Sequence, residues 1–281
     1  MTRILIYTDL DGTLLDHHSY SHAPADALLA QLERDGIPVI PCTSKTRAEL
    51  LPLREELHNR HPFIVENGAA VIVPRNYFER RPAGLEAAGD FLIKRFVEPR
   101  SHWLQLIGDV AEAFRGQFRG FSAMDEHSIV ALTGLDAAAA ARAAQREFGE
   151  PIHWTGDADQ RQAFISAIES AGAQVLQGGR FMHVSGKCDK GSALRWLNHA
   201  YAEADGEPPV SIAVGDSHND IAMLEAAEHA LIVRSPAHPP PELSRNDKLT
   251  ISEAFGPQGW DEGVRRILTK LKKSPEETRH G

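Results

Sequence analysis

The sequence predicts an α/β fold, a doubly wound parallel sheet interrupted by a smaller α+β region. Three observations lead there. The apolar run of strand length that begins at Ile4 is solid rather than alternating, which suits a strand buried on both faces, and Ile37–Cys42 and Val210–Val214 read as further buried strands. Each ends in a polar cluster followed by a helical pattern, and sheets of this kind keep their sites at the carboxyl ends of their strands. From Pro82 to about residue 185 the character changes to amphipathic helices alternating with short strands, the rhythm of an inserted domain.

The first run leads into Asp9-Leu10-Asp11-Gly12-Thr13. Carboxylates at i and i+2 on an extended backbone point to the same side, close enough to share a metal or to divide nucleophile and acid roles. Gly12 allows a sharp turn whose amides can face an anion, although an Asp-Gly pair also closes ordinary hairpins. After a polar loop, Pro24–Asp35 carries helical spacing, ended by Gly36. The second strand ends at Thr43-Ser44-Lys45-Thr46 before a helix expected over Thr46–Leu57. A hydroxyl there can hydrogen-bond an anion, and the same pattern describes an N-cap. Pro62–Val73 reads as a hairpin turning at Asn67-Gly68, with Glu66 and Asn67 at its tip.

In the middle region helices are expected over Leu104–Phe118, Asp136–Phe148 and Arg161–Ala171, and short strands over Ser128–Leu132 and Pro151–Trp154. Ala173–Val184 reads as a second hairpin with Gly178-Gly179 at its turn, presenting Arg180, a cation free to reach a carboxylate or phosphate. Lys190 opens the next helix, where the macrodipole opposes a cation unless an anion is bound. Val210–Val214 ends in Gly215-Asp216-Ser217-His218-Asn219-Asp220, a crowd of carboxylate and amide groups whose natural partner is a hard divalent cation; the bland reading is an Asx-rich turn. Leu231–Val233 is a last strand, 235–242 a proline-rich surface segment, and Gly263–Lys273 a helix before a polar tail from Ser274.

The chain has 281 residues, 42% hydrophobic and 25% charged, the profile of an ordinary globular protein long enough for two domains. A net charge of −9 argues against nucleic-acid or acidic-membrane partners, so an anionic substrate needs a local cationic pocket. Cys42 and Cys188 form no disulfide framework or zinc pattern. No signal-peptide pattern or bilayer-length apolar run is visible, which makes the cytoplasm the expected location.

The order of the strand-end motifs is the specific signal. An Asp-x-Asp-Gly-Thr end, a hydroxyl end, the lysine of Asp189-Lys190-Gly191 and a Gly-Asp-x-x-Asn-Asp end resemble the four motifs of the haloacid dehalogenase-like superfamily of phosphohydrolases. The large region between the second and third motifs resembles a Cof-type cap. Cys42–Glu49, Pro62–Ala70, Gly178–Phe181 and Asp189–Gly191 resemble the mannosyl-3-phosphoglycerate phosphatases.

The resemblance implies a Rossmann-like core over 1–81 and 186–281 with an α+β cap over 82–185. It implies Asp9 as nucleophile and Asp11 as acid and then base, with Thr43, or Ser44 in exchange, and Lys190 holding phosphoryl oxygens. Mg²⁺ would be held by Asp9, the Asp11 carbonyl and Asp216, with Asn219 and Asp220 positioning ligands. Arg180, Glu66, Asn67 and His183 would read the glycerate or sugar, Lys187 is a weaker phosphate candidate than Lys190, and His17 and His18 are either rim residues or, as is commoner for loop histidines, simply solvated. The implied partner is a small phosphorylated sugar or glycerate, handled by a monomer or homodimer. Hydrolysis of glucosyl-3-phosphoglycerate or another sugar phosphate keeps the same core. A silent binding protein would be expected to lack Asp9 or Asp216, and both are present.

Overall fold

The computed structural model describes residues 2–177 and 181–277. The chain divides into two compact units, one comprising Met1–Thr43, Asn59–Lys94 and Asp189–Gly281, the other Ser44–His58 and Arg95–Cys188.

The first unit opens with β1 (Ile4–Thr8), α1 (Asp26–Arg34) and β2 (Val39–Pro41). Helix α2 (Arg47–Glu56) falls in the second unit, and Thr46 and Glu49 cap it by satisfying each other's backbone amides. The chain then forms β3 (Phe63–Val65), β4 (Ala70–Pro74), β5 (Glu86–Ala88) and β6 (Phe91–Arg95), a four-stranded sheet in the order β3-β4-β6-β5. The hairpin expected at Asn67-Gly68 is present, with Phe63 paired antiparallel to Ile72. Strands β5 and β6 had no counterpart in the sequence reading; β5 is a three-residue, largely exposed segment with no apolar alternation, and β6 carries the short apolar run Phe91-Leu92-Ile93.

The second unit continues with α3 (Arg100–Val110), β7 (Phe118–Gly120), α4 (Glu126–Thr133), α5 (Ala137–Ala143), β8 (Gly149–Trp154), α6 (Ala158–Ser170), β9 (Gln174–Gln177) and β10 (Met182–Ser185). Its antiparallel sheet runs β7-β8-β10-β9 and packs on a core that includes Trp103, Ile107, Ile152, Phe164 and Met182. Three expectations are corrected here. Ser128–Leu132 is helix rather than strand: the Asp125 carboxylate caps the Ser128 amide, and Gly134 closes the helix at φ 79°, so two local caps override β-branched composition. The helix expected to reach Phe118 ends at Val110, gives way to a 3₁₀ turn and becomes β7 at Phe118. That expected to reach Phe148 stops at Ala143, and Phe148 is buried just before β8. The turn at Gly178-Gly179 and Arg180 lies outside the described residues.

The first unit is completed by α7 (Lys190–Asp205), β11 (Val210–Gly215), α8 (Ile221–Ala226), β12 (His229–Arg234), β13 (Leu249–Phe255) and α9 (Gly256–Glu277). Its central sheet is parallel throughout, in the order β13-β12-β11-β1-β2. The apolar runs explain this placement: Leu5, Ile6 and Tyr7 of β1 and Ile212, Ala213 and Val214 of β11 have no solvent exposure. Helix α9 packs on β12 and β13 and is longer than the expected Gly263–Lys273. Its first turns carry Gly256, Pro257 and Gly259, which hide the helical period, yet Trp260 is fully buried. The expected tail from Ser274 meets helix as far as Glu277, and residues beyond lie outside the described ones. Among the described residues no helix is long and apolar enough to cross a membrane.

Candidate active site

Strands β1 and β11 run parallel with Thr8 opposite Val214, so the residues leaving both strands emerge side by side. The Asp9 amide donates to the Val214 carbonyl at 2.8 Å, bringing Asp9 beside Gly215-Asp216 although 207 residues separate the two aspartates. The Thr8 hydroxyl donates to the Asp9 carbonyl at 2.7 Å and accepts from Trp260 Nε1 at 3.0 Å, so a buried indole on α9 braces this strand end. Gly12, at φ 80°, passes so close to Asp216 that a Cβ would stand 2.8 Å from its Oδ2.

Lys190 is fully buried at the start of α7 and donates from Nζ to Asp9 Oδ1 at 2.6 Å and to Asp220 Oδ1 at 2.7 Å. Asp220 is otherwise committed to protein donors, its Oδ2 accepting from the amides of Asp216 and Ser217 at 3.1 Å each. Asp216 is held at Oδ1 by the Thr13 hydroxyl, 3.1 Å away. Asp9, Asp216 and Asp220 each offer a carboxylate oxygen within 4.8 Å of the others.

Burial, reinforced by Asp220 and Asp11, raises the pKa of Asp9 despite the opposing pull of Lys190. Burial and Asp220 raise that of Asp216 as well. For Lys190 burial acts against the charge, but Asp220 and Asp9 outweigh it and raise the pKa, so the ammonium persists. Three buried carboxylates thus face one ammonium. The excess of negative charge on hard oxygen donors fits a small divalent cation.

The remaining residues singled out in the sequence fall in several places. Thr43 is buried; its amide donates to the Ile64 carbonyl at 3.0 Å and its carbonyl accepts from the Asn67 amide at 2.9 Å. Asn67 Oδ1 in turn accepts from Asn219 Nδ2 at 3.1 Å, tying the hairpin tip to the β11 loop, and Glu66 is buried beside it. Asp11 is half-buried and bridges to Leu15 through its backbone, outside the three-carboxylate group. His17 and His18 are exposed.

Ser44, His183 and Lys187 belong to the second unit. There Arg146 donates from Nη1 to the Ser44 carbonyl at 2.9 Å, and its Nη2 lies 3.3 Å from His183 Nδ1. Burial, with the Arg146 charge adding to it, pushes His183 down to about 3 and leaves a neutral ring. Lys187 is exposed, and Arg180 lies outside the described residues.

Sequence reasoning missed four contributors. Thr13 stood inside the first motif without a role; Trp260 and Arg146 carried no local signal. His238, in the proline-rich segment, places Nε2 3.2 Å from Asp216 Oδ2.

Residues 6–92 and 155–238 match the sequence profile of the haloacid dehalogenase-like hydrolases. A glucosyl-3-phosphoglycerate/mannosyl-3-phosphoglycerate phosphatase from Methanococcoides burtonii is 34% identical over 266 residues, 95% of this chain and 97% of the relative. Its namesake from Persephonella marina is 33% identical over 96% of this chain and 99% of its own. Among solved structures, BT1666 of Bacteroides thetaiotaomicron, a phosphatase of the haloalkanoate superfamily, aligns with a TM-score of 0.64 at 17% identity, over 97% of this chain and 96% of its own. The sucrose-phosphatase of Synechocystis sp. PCC6803 aligns at 0.56 and 14% identity, over 95% and 98%. At such identities the structures speak for the fold alone.

Proposed function

The chain belongs to the haloacid dehalogenase-like hydrolases, and from that premise we propose that it hydrolyses mannosyl-3-phosphoglycerate to mannosylglycerate and phosphate, with the glucosyl compound as the nearest competitor. It is a phosphoric monoester hydrolase, as its two near-full-length relatives are named. The observation that carries the chemistry is the buried Lys190 ammonium between Asp9 and Asp220, beside Asp216 at the ends of two adjacent parallel strands.

In this reading a carboxylate oxygen of Asp9 attacks phosphorus and the ester bond breaks, giving an aspartyl-phosphate and an alcohol that takes its proton from Asp11. Asp11, now a base, removes a proton from the water that cleaves the acyl phosphate and restores Asp9. Lys190 and the Thr43 hydroxyl hold the non-bridging oxygens, and Asp220 fixes the lysine. Asp9, the Asp11 carbonyl and Asp216 would hold Mg²⁺, which supplies charge neutralisation of the phosphoryl group. Recognition of the glycerate and sugar is assigned to Arg180, Glu66, Asn67 and His183, with Ser44 in exchange for Thr43 and Lys187 as a weaker alternative to Lys190 in holding the phosphoryl group.

Phosphate release is measured across mannosyl- and glucosyl-3-phosphoglycerate, 3-phosphoglycerate and common sugar phosphates, with Mg²⁺ or with EDTA. A metal-dependent preference of about a hundredfold in kcat/KM for the glycosyl glycerates, on the order of 3 kcal/mol in the transition state, is expected. Flat, weak rates across the panel would sink the named substrate. D9N with residual activity above about one part in a thousand would sink the nucleophile.

A further inference from the structure

We propose that His238 is a positioning residue for the cation site: it holds the outer oxygen of Asp216 and thereby fixes the direction in which this carboxylate meets a divalent ion. Asp216 is almost fully buried and is gripped from two sides, by Thr13 Oγ1 on Oδ1 at 3.1 Å and by His238 Nε2 on Oδ2 at 3.2 Å. The other ring nitrogen, Nδ1, lies 3.1 Å from the Pro239 carbonyl. A carboxylate oxygen only accepts, so the neutral tautomer that supports Asp216 carries its proton on Nε2 and leaves Nδ1, which faces the Pro239 carbonyl, without one. Among the described residues the mutually close metal-ligating atoms come from Asp9, Asp216 and Asp220 and do not include the imidazole, so His238 acts through Asp216.

The segment that carries His238 is built to hold it. Pro236, Pro239, Pro240 and Pro241 restrict the backbone around it, which lowers the entropy cost of keeping the ring in place. At one end the Arg234 amide donates to Ser252 Oγ at 2.9 Å. At the other, the Arg245 guanidinium donates to the carbonyls of Leu224, at 3.2 Å, and Glu228, at 2.8 Å. The proline-rich stretch is therefore a strap anchored at both ends, with one side chain reaching the site. A carboxylate held at both oxygens presents a fixed lone pair to a cation, and loss of such outer support characteristically weakens metal binding about 10–100-fold.

This inference rests on the divalent-cation reading of the site. The test is Mn²⁺ binding to the full chain, followed by the electron paramagnetic resonance of free aqueous Mn²⁺, for wild type, H238A and H238Q. H238A is expected to bind about tenfold more weakly or worse, and H238Q, which keeps a donor, to remain within about threefold of wild type. With p-nitrophenyl phosphate, H238A should need about tenfold more Mg²⁺ for half-activation yet recover wild-type kcat at saturation. The unfolding midpoint of H238Q, which keeps the donor, should match wild type in EDTA. H238A that binds Mn²⁺ like wild type, or H238Q as weak as H238A, would each overturn the role of His238 alone. A wild-type protein that binds no Mn²⁺ would overturn the cation reading with it.

Discussion

Replacing Lys190 by Met tests the electrostatic logic of the site in its simplest form. The ammonium makes two short hydrogen bonds, 2.6 Å to Asp9 and 2.7 Å to Asp220, with no solvent exposure. Net contributions of hydrogen bonds to charged groups run to about 1.5–3 kcal/mol each, and removing one member of a buried pair typically costs about 3–5 kcal/mol. The expected loss is therefore about 4 kcal/mol at pH 7.5 in EDTA, read from urea unfolding and from hydrogen exchange of the β1 amides, which report on the first unit.

The loss should depend on pH in a defined direction. Burial already raises the pKa of Asp9 with the lysine present, and in K190M it acts unopposed. A carboxylate whose folded pKa exceeds its unfolded value contributes fully below the unfolded value, about 4, and loses that contribution as pH rises through the folded one. The deficit of K190M should thus shrink as pH falls from 7.5 towards 5. The raised Lys190 pKa places the wild-type contribution of the ammonium on a plateau across this window, since it is lost only above the unfolded lysine value. The double variant K190M/D220N, with one carboxylate fewer to strand, should regain about 1–2 kcal/mol of the loss. A deficit below about 1 kcal/mol at pH 7.5, or one independent of pH, would refute the account.

Three further outcomes follow from individual contacts. G12A should lower phosphate release at least about a hundredfold, because a Cβ at φ 80° would stand 2.8 Å from Asp216 Oδ2; an active G12A would show that Asp216 need not sit there. W260F removes the indole donor to Thr8 and should cost about 1–2 kcal/mol in urea unfolding, with a lower kcat if the brace on the Asp9 strand end matters to catalysis. His183, pushed down to about 3 by burial and Arg146, binds its proton more readily when unfolded. Stability of the wild type should therefore be full above about pH 6.5 and fall by roughly 1–2 kcal/mol by pH 5, the loss continuing towards the folded value, while H183N loses that slope in paired denaturation curves.

The parts of this fold that were legible in the sequence are those whose signal is local. Ile4–Thr8 and Val210–Val214 are apolar because both faces are covered, and the polar clusters after them mark strand ends whatever the rest of the chain does. Strand β13 escaped notice because its pattern is inverted: Thr250 and Ser252 point inward while Ile251 and Phe255 are exposed. The inward Ser252 is tolerated because its hydroxyl accepts from the Arg234 amide and donates to the Ala254 carbonyl, two bonds that only the neighbouring strand and the turn into α9 make available. Ser128–Leu132 failed for the opposite reason, with caps on either side deciding against residue preference.

The same distinction separates the candidate site's chemistry from its support. A carboxylate directly after a buried apolar strand is legible as a strand-end group, and Asp9 does stand beside Asp216, whereas Asp11 lies outside the three-carboxylate group. Residues that orient those carboxylates are chosen by topology. Thr13, Trp260 and His238 meet the site across 203, 252 and 22 residues of chain, respectively, measured to Asp216, Thr8 and Asp216. A buried polar atom must be satisfied, but sequence does not say by whom. The register of Thr8 against Val214 supplies the answer: once two strand ends are brought level, the carboxylates between them need donors on every side, and whichever helix or strap closes over that edge must provide them.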